Sequence, residues 1–179
     1  MTTSTETITL GGGCFWCLEA VFDRVLGVLD VESGYCNGRP ELHPPTYEQV
    51  CTGHTGFTEV VRLVFDPTQI NLREILSIFF VIHDPTTLNR QGNDIGTQYR
   101  SGIYWHQPEQ AEVAREVMAG LPQGAQVVTE LLEVAHYSAA EAYHQDYFLQ
   151  HPNQGYCAFV VAPKVDKLQR IFAQHVRPN

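Results

Sequence analysis

Three consecutive glycines at positions 11–13 divide two stretches of different hydrophobic period, and no other feature limits the fold of this chain so much. Before them, TETITL (residues 5–10) alternates polar and apolar residues as a half-buried strand does. After them, Leu18, Val21, Phe22 and Val25 recur at helical spacing until Gly27 stops the run. Glycine lacks a Cβ, so the backbone can turn sharply from strand to helix. In GGGCFWC the first thiol, Cys14, falls on that junction, with two large aromatics and a second thiol behind it.

The same alternation of periods continues downstream. Val28–Tyr35 sets Leu29, Val31 and Tyr35 against Asp30 and Glu32, a half-buried strand, and residues 36–46 are loop. Phe57–Phe65 reads as a strand, and Asn71 with Glu74 frames a capping box for a helix built on Leu72, Ile75, Phe79 and Ile82. The polar segment 84–99 is too long for a mere connector. Ser101–Trp105 is extended, Pro108 opens a helix through Leu121, Val127–Ala135 is a strand and Ala139–Leu149 a helix. Residues 151–157 are irregular, and Pro163 starts a final helix on Val165, Leu168 and Phe172. Strands that alternate polar and apolar residues belong to sheets with one wet face. The expected fold class is therefore α+β: a two-layer α/β sandwich, its sheet mixed and mainly antiparallel around a ferredoxin-like core, with helices mostly on one face. At 179 residues, positions 1–179 form one domain.

Charge narrows the partners. Twenty acidic against eleven basic residues give a formal net charge of −9, which repels phosphate backbones and anionic lipid surfaces. No nucleic acid or membrane partner is expected, and no apolar run approaches the ~20 residues of a membrane span. MTTSTETITL has neither a basic nor an apolar leader region, so a cytoplasmic location is the default. Five cysteines, Cys14, Cys17, Cys36, Cys51 and Cys157, are an odd number in a chain large enough to fold without staples. They read as catalysis, metal or core filling.

At the start of a helix, Cys14 meets the positive end of the dipole and unpaired N–H groups, which favour thiolate. Phe15 and Trp16 are ordinary core, or the walls of an apolar pocket for a methyl or thioether group. Cys17, three residues on, gives the spacing of a redox CxxC; a zinc pair is the rival, but no second CxxC or HxxxH follows. In the strand 57–65, Glu59 shares a face with Phe57, Val61, Leu63 and Phe65. Burial there raises a carboxyl pKa and makes a general acid; the alternative is a carboxylate that reaches water or pairs with an arginine. Tyr47 and Tyr99 lie near loop ends and can present phenolic donors, or be core tyrosines with wet tips. Asp94 has the look of a turn aspartate. Cys36 and Cys51 are cheapest as small buried hydrophobes. Cys157 follows a flexible polar stretch, Asn153–Tyr156, able to carry its thiol toward another site.

Taken in order, GCFWC, PTYEQVCTGHTGFTEV, HDPTTLNRQGNDIGTQYRS, EAYHQDYF and NQGYC give the chain a close resemblance to the A-type peptide methionine sulfoxide reductases, over roughly residues 6 to 160. The resemblance implies that Cys14 attacks the sulfoxide sulfur, with Phe15 and Trp16 around the substrate methyl. It implies that Glu59 gives a proton to the sulfoxide oxygen and that Tyr47, Asp94 and Tyr99 bind and polarise that oxygen. A sulfenic acid on Cys14 would then condense with Cys157 or, as the alternative, with Cys17, and thioredoxin would reduce the disulfide. The S-epimer of methionine sulfoxide, free or in oxidised proteins, is the implied substrate; no metal or other cofactor is expected, and a monomer is. Phe57 stands where a histidine is usual in the family, making the surroundings of Glu59 more apolar. Two other classes compete: a thioredoxin-like dithiol oxidoreductase using Cys14 and Cys17, and a zinc-binding module. Neither needs the polar set Tyr47, Glu59, Asp94 and Tyr99.

Overall fold

The computed structural model describes residues 4–178. Strand β1 (Glu6–Gly11) passes through the glycine turn into helix α1 (Phe15–Phe22), as the change of period requires. Strands β2 (Val28–Cys36) and β3 (Thr58–Phe65) follow, separated by the short helix α2 (Tyr47–Cys51). Helix α3 (Leu72–Ile82), a small hairpin of β4 (Arg90–Gln91) and β5 (Asp94–Ile95), and strand β6 (Gly102–Trp105) come next. The remainder is α4 (Pro108–Ala119), β7 (Glu130–Glu133), β8 (Ser138–Ala139), α5 (Tyr147–Gln150) and α6 (Ala162–Ile171). This is a mixed α+β fold. Six strands form one sheet in the order β7-β6-β1-β3-β2-β8. Every neighbouring pair is antiparallel except β6 with β7.

The main core gathers Ile8 and Leu10 of β1, Leu63 and Phe65 of β3, Phe15, Leu18 and Phe22 of α1, and Ile75, Ile78 and Phe79 of α3, each almost fully buried. Burying such a side chain contributes roughly 1.5–3 kcal/mol, so this cluster fixes how α1 and α3 lie on the strands. A smaller cluster joins Cys36, Val60 and Tyr104, with Val134 and Tyr137 packed against it. The start of α3 is built as its sequence indicates: the Asn71 side chain accepts from the Glu74 N–H at 2.8 Å, and the Glu74 carboxylate accepts from the Asn71 N–H at 3.1 Å. Replacing Asn71 by alanine is therefore expected to cost about 1 kcal/mol, read as a lower midpoint in urea with an unchanged slope.

Three segments depart from their sequence patterns. A bulge between Val28 and Asp30 shifts the β2 register and turns Leu29 out to solvent. The strand expected over Val127–Ala135 is only Glu130–Glu133, because its one partner, β6, offers four residues to pair with. Ala139–Leu149 does not form a helix. Ser138 and Ala139 instead pair with Tyr35 and Gly34 of β2, where a Cβ on Gly34 would stand 2.6 Å from the Ser138 carbonyl. The Gln145 side chain binds the Ser33 N–H and C=O at 3.0 and 2.9 Å, and Asp146 takes a left-handed backbone, φ 56°. Bonds to the sheet edge replace most of the helical ones, leaving a short 3₁₀ turn at Ala142–His144 and a single α-helical turn at Tyr147–Gln150.

Candidate active site

The glycine turn fixes the position of Cys14. Gly13 has φ +86°, a conformation that favours glycine, and its N–H donates to the Tyr99 carbonyl at 3.1 Å. A Cβ on Gly11 would stand 2.8 Å from Thr58 Cγ2 and 3.2 Å from the Glu59 carbonyl oxygen, so β1 can pass this close to β3 only without one. Cys14 then occupies the N-cap of α1. Its thiol is raised well above the ordinary range, first by burial and then by the charges of Glu59, Cys17 and Asp94, while a hydrogen bond from the Trp16 backbone opposes the rise. The thiolate expected from the helix terminus is not the resting form. A helix end is worth roughly 0.3–1 kcal/mol to a charge, less than the loss of water around a buried sulfur.

Glu59 is where alternation along β3 puts it, 1% exposed. Its Oε1 accepts from the Phe15 N–H at 3.2 Å, whereas Oε2 is buried with no partner. Burial, and next the charge of Asp94, push its pKa up to about 8 against the pull of the Phe15 hydrogen bond. Most molecules at neutral pH carry it protonated.

The other polar candidates converge on these two. Tyr47 opens α2 behind a capping box of Thr46 and Gln49, and its N–H donates to Glu141 at 2.8 Å. Its phenol is kept protonated by burial and by its neighbours Cys51, Glu59 and Cys14. Tyr99 ends the turn Thr97–Tyr99, and burial, Glu59, Cys14 and Asp94 act on it in the same direction. That turn is anchored by Arg100, which donates to the Thr97 carbonyl at 2.9 Å, to Glu130 at 3.1 Å and to the Asn37 carbonyl at 3.2 Å. Asp94, on β5, accepts from the Tyr156 hydroxyl.

The aromatic wall has more members than GCFW shows. Phe15 is fully buried, its ring 6.4 Å from Tyr47 and 5.1 Å from His144. Trp16 is partly exposed; its indole donates to His144 Nδ1 at 3.1 Å and its ring stacks on Tyr147 at 3.7 Å and 3°. Tyr156 meets Trp16 edge-on at 5.8 Å. Sequence reasoning from the residues missed His144, Tyr147, Tyr156 and Glu141. Their signal was the density of aromatic and histidine residues in EAYHQDYF and NQGYC, which the helical spacing of 139–149 obscures.

Of the other thiols, Cys17 is buried on α1, 3.9 Å from the Tyr156 hydroxyl, and burial raises its thiol pKa against the pull of Lys164 and of the Tyr156 hydrogen bond. Cys157 is not on a flexible loop: it is fully buried at the start of a π-helical turn, Cys157–Val161, that runs into α6 and packs against α1. Apolar residues at Val160, Val161 and Val165 give that turn a place in the core. Cys51 is exposed rather than core filling, because α2 lies on the surface beside Tyr47; Cys36 is buried as read. All five cysteines are free thiols. Among the described residues, no group of three or more His, Cys, Asp or Glu could hold a metal ion.

Residues 6–176 match the family profile described as peptide methionine sulfoxide reductase. The chain belongs to that family. It is similar to the peptide methionine sulfoxide reductase MsrA of Polynucleobacter asymbioticus, 54% identical, with 97% of this chain and 93% of the relative covered. It is also similar to the reduced form of Mxr1 from Saccharomyces cerevisiae, 36% identical with a TM-score of 0.77, over 88% of this chain and 91% of the yeast one. Mxr1 solved in complex with Trx2 matches at 27% identity and a TM-score of 0.52, over 82% and 87% of the two chains. As a peptide methionine sulfoxide reductase, the protein is an enzyme that reduces methionine sulfoxide to methionine by thiol chemistry. For a reductase of this kind, the two demands are a sulfur nucleophile and a proton for an oxygen that leaves poorly without one.

Proposed function

We propose that Cys14 is the nucleophile and Glu59 the general acid of this methionine sulfoxide reductase. The observation that carries the assignment is Glu59 itself: a protonated carboxyl beside the thiol, with one oxygen held by Phe15 and the other buried without a partner. The sulfoxide oxygen accepts the Glu59 proton, with the phenols of Tyr47 and Tyr99 and the neighbouring Asp94 polarising it, and the substrate methyl rests against Phe15 and Trp16. Cys14 sulfur bonds to the sulfoxide sulfur as the S–O bond weakens. The hydroxyl passes from the substrate sulfur to the Cys14 sulfur as the new S–S bond breaks, methionine leaves with a sulfenic acid left on Cys14, and the proton lost by the thiol restores Glu59. A high thiol pKa is compatible with this balance, because the proton is needed within the same step.

Cys157 then condenses with the sulfenic acid, releasing water and forming a disulfide that a thioredoxin dithiol reduces. Mxr1 in complex with Trx2 supports a thioredoxin as the reductant. Cys157 starts the turn Cys157–Val161, which packs against α1, and a shift of that turn brings its thiol to Cys14; Cys17, three residues from Cys14 on α1, is the alternative partner. The substrate is the S epimer, free or in proteins, and the protein acts as a cytoplasmic monomer with one catalytic domain. The run β6-β1-β3-β2, with α1 and α3 as its crossovers, supports a ferredoxin-like core in two layers.

Mapping the disulfide tests the relay. Reduced protein given methionine sulfoxide without reductant is expected to yield a Cys14–Cys157 peptide by mass spectrometry, and Cys157→Ser, supplied with thioredoxin, to stop after one methionine per chain while the unmodified protein continues. A Cys14–Cys17 peptide in the unmodified protein would transfer the resolving role to Cys17.

A further inference from the structure

A cleft of about 500 Å³ adjoins the site, and the reaction as described does not use it. Its lining includes Asp94 and Tyr156, which it shares with the site, and Phe159, Lys164 and Lys167, which it does not. Phe159 is 83% exposed, more than any other large hydrophobic side chain among the described residues. Its ring is open to pack against an apolar residue of a chain bound at the neighbouring site.

The cleft lining carries two carboxylates, Asp84 and Asp94, and two ammonium groups, Lys164 and Lys167, and they differ in how far they are engaged. Both carboxylates in its lining are already engaged: Asp84 accepts from the Thr86 N–H at 2.9 Å and from the Thr86 hydroxyl, and Asp94 from Tyr156. Lys167 gives one hydrogen bond, to the Val81 carbonyl at 2.9 Å, and Lys164 has neither an ion pair nor a side-chain hydrogen bond among the described residues. In a chain of formal net charge −9, an ammonium with no partner among the described residues, Lys164, with Lys167 one helical turn away, can receive an anionic side chain.

We propose that the cleft seats the polypeptide on one side of the methionine sulfoxide, with an apolar residue on Phe159 and an acidic side chain against Lys164 and Lys167, so that the enzyme prefers oxidised methionines with acidic and apolar neighbours. This rests on the assignment of the site to Cys14 and Glu59. Tyr156 connects the two places: its hydroxyl binds Asp94 and its ring edge meets Trp16, so a chain whose sulfoxide lies against Trp16 continues into the cleft. Free methionine sulfoxide has no flanking chain and does not use it.

Four substrates and two variants test the proposal, with dithiothreitol as reductant: free methionine sulfoxide, and three oxidised peptides alike except for a glutamate, glutamine or lysine two residues from the sulfoxide. Lys164→Glu is expected to lower kcat/KM for the glutamate peptide about fivefold through KM, and to raise it for the lysine peptide. Phe159→Ser is expected to lower kcat/KM about tenfold for every peptide. Neither should change turnover of the free amino acid, and the preference among peptides should fade with salt. Equal loss on free and peptide substrates would overturn the proposal, as would unchanged peptide kinetics. The assays are repeated with thioredoxin in place of dithiothreitol, and a loss confined to that series would overturn the proposal as well and assign the surface to the reductant. If Cys14 and Glu59 were misassigned, free methionine sulfoxide would still be turned over after their replacement, a separate outcome.

Discussion

Cys14→Ser is expected to lower methionine sulfoxide turnover by about four orders of magnitude or more, because a buried hydroxyl is a far weaker nucleophile toward sulfur than a thiol. The hydroxyl preserves the shape of the N-cap, so α1 and the core beneath it remain folded and the circular dichroism spectrum is unchanged. Methionine release measured in single turnover separates this from slow recycling, since no reductant is then required. Turnover retained by the variant would show that another thiol opens the reaction.

The second large effect belongs to Glu59→Gln. Loss of the acid is expected to lower kcat about 10²–10⁴-fold and to remove the alkaline limb of the rate profile. In the parent that limb should fall as pH rises through about 8, where the protonated carboxyl disappears. The substitution should move stability the other way, upward at alkaline pH. A carboxyl whose folded pKa lies above its unfolded value contributes stability that is fully present below the unfolded pKa, near 4.3, and is lost as pH rises through about 8. The amide keeps the Phe15 hydrogen bond and has no charge to desolvate. At pH 9 the inactive variant should therefore be more stable than the parent by on the order of a few kcal/mol, measured by urea denaturation. A parent whose stability is flat between pH 5 and 9 would mean that the acid is ionised throughout.

What the sequence disclosed follows from which interactions are local. The strand-to-helix switch at Gly11–Cys14, the alternation that buries Glu59 and the Asn71–Glu74 cap are written within a few residues of one another, and the structure has all three. Ala139–Leu149 carries its determinants elsewhere, in the open edge of β2 and in Ser33, more than a hundred residues away. Hence its helical period misleads, and His144 and Tyr147 could not be placed against Trp16 from residue patterns alone. Cys157 illustrates another limit: glycine and asparagine before it suggest a loop, whereas the valines after it draw it into the core. For Cys14 the balance of helix field and burial is a matter of magnitude, which spacing does not disclose. Tyr47 and Asp94 were legible only through their resemblance to known sequences.

The halves of the site are built from unequal material. Glu59 sits on β3 and Cys14 directly follows the glycine turn that ends β1, these being the two strands at the centre of the sheet, and Arg100 ties the turn of Tyr99 to Glu130 and Asn37. The opposite wall, His144 to Tyr156, is made of short coils hung on side-chain bonds. Amide hydrogen exchange should consequently be graded across a single reaction centre, slow at residues 59–64 and fast at 144–156. Breathing of the faster half can admit a bulky chain and release it while the reacting pair keeps its alignment, so the catalyst tolerates local disorder without losing register.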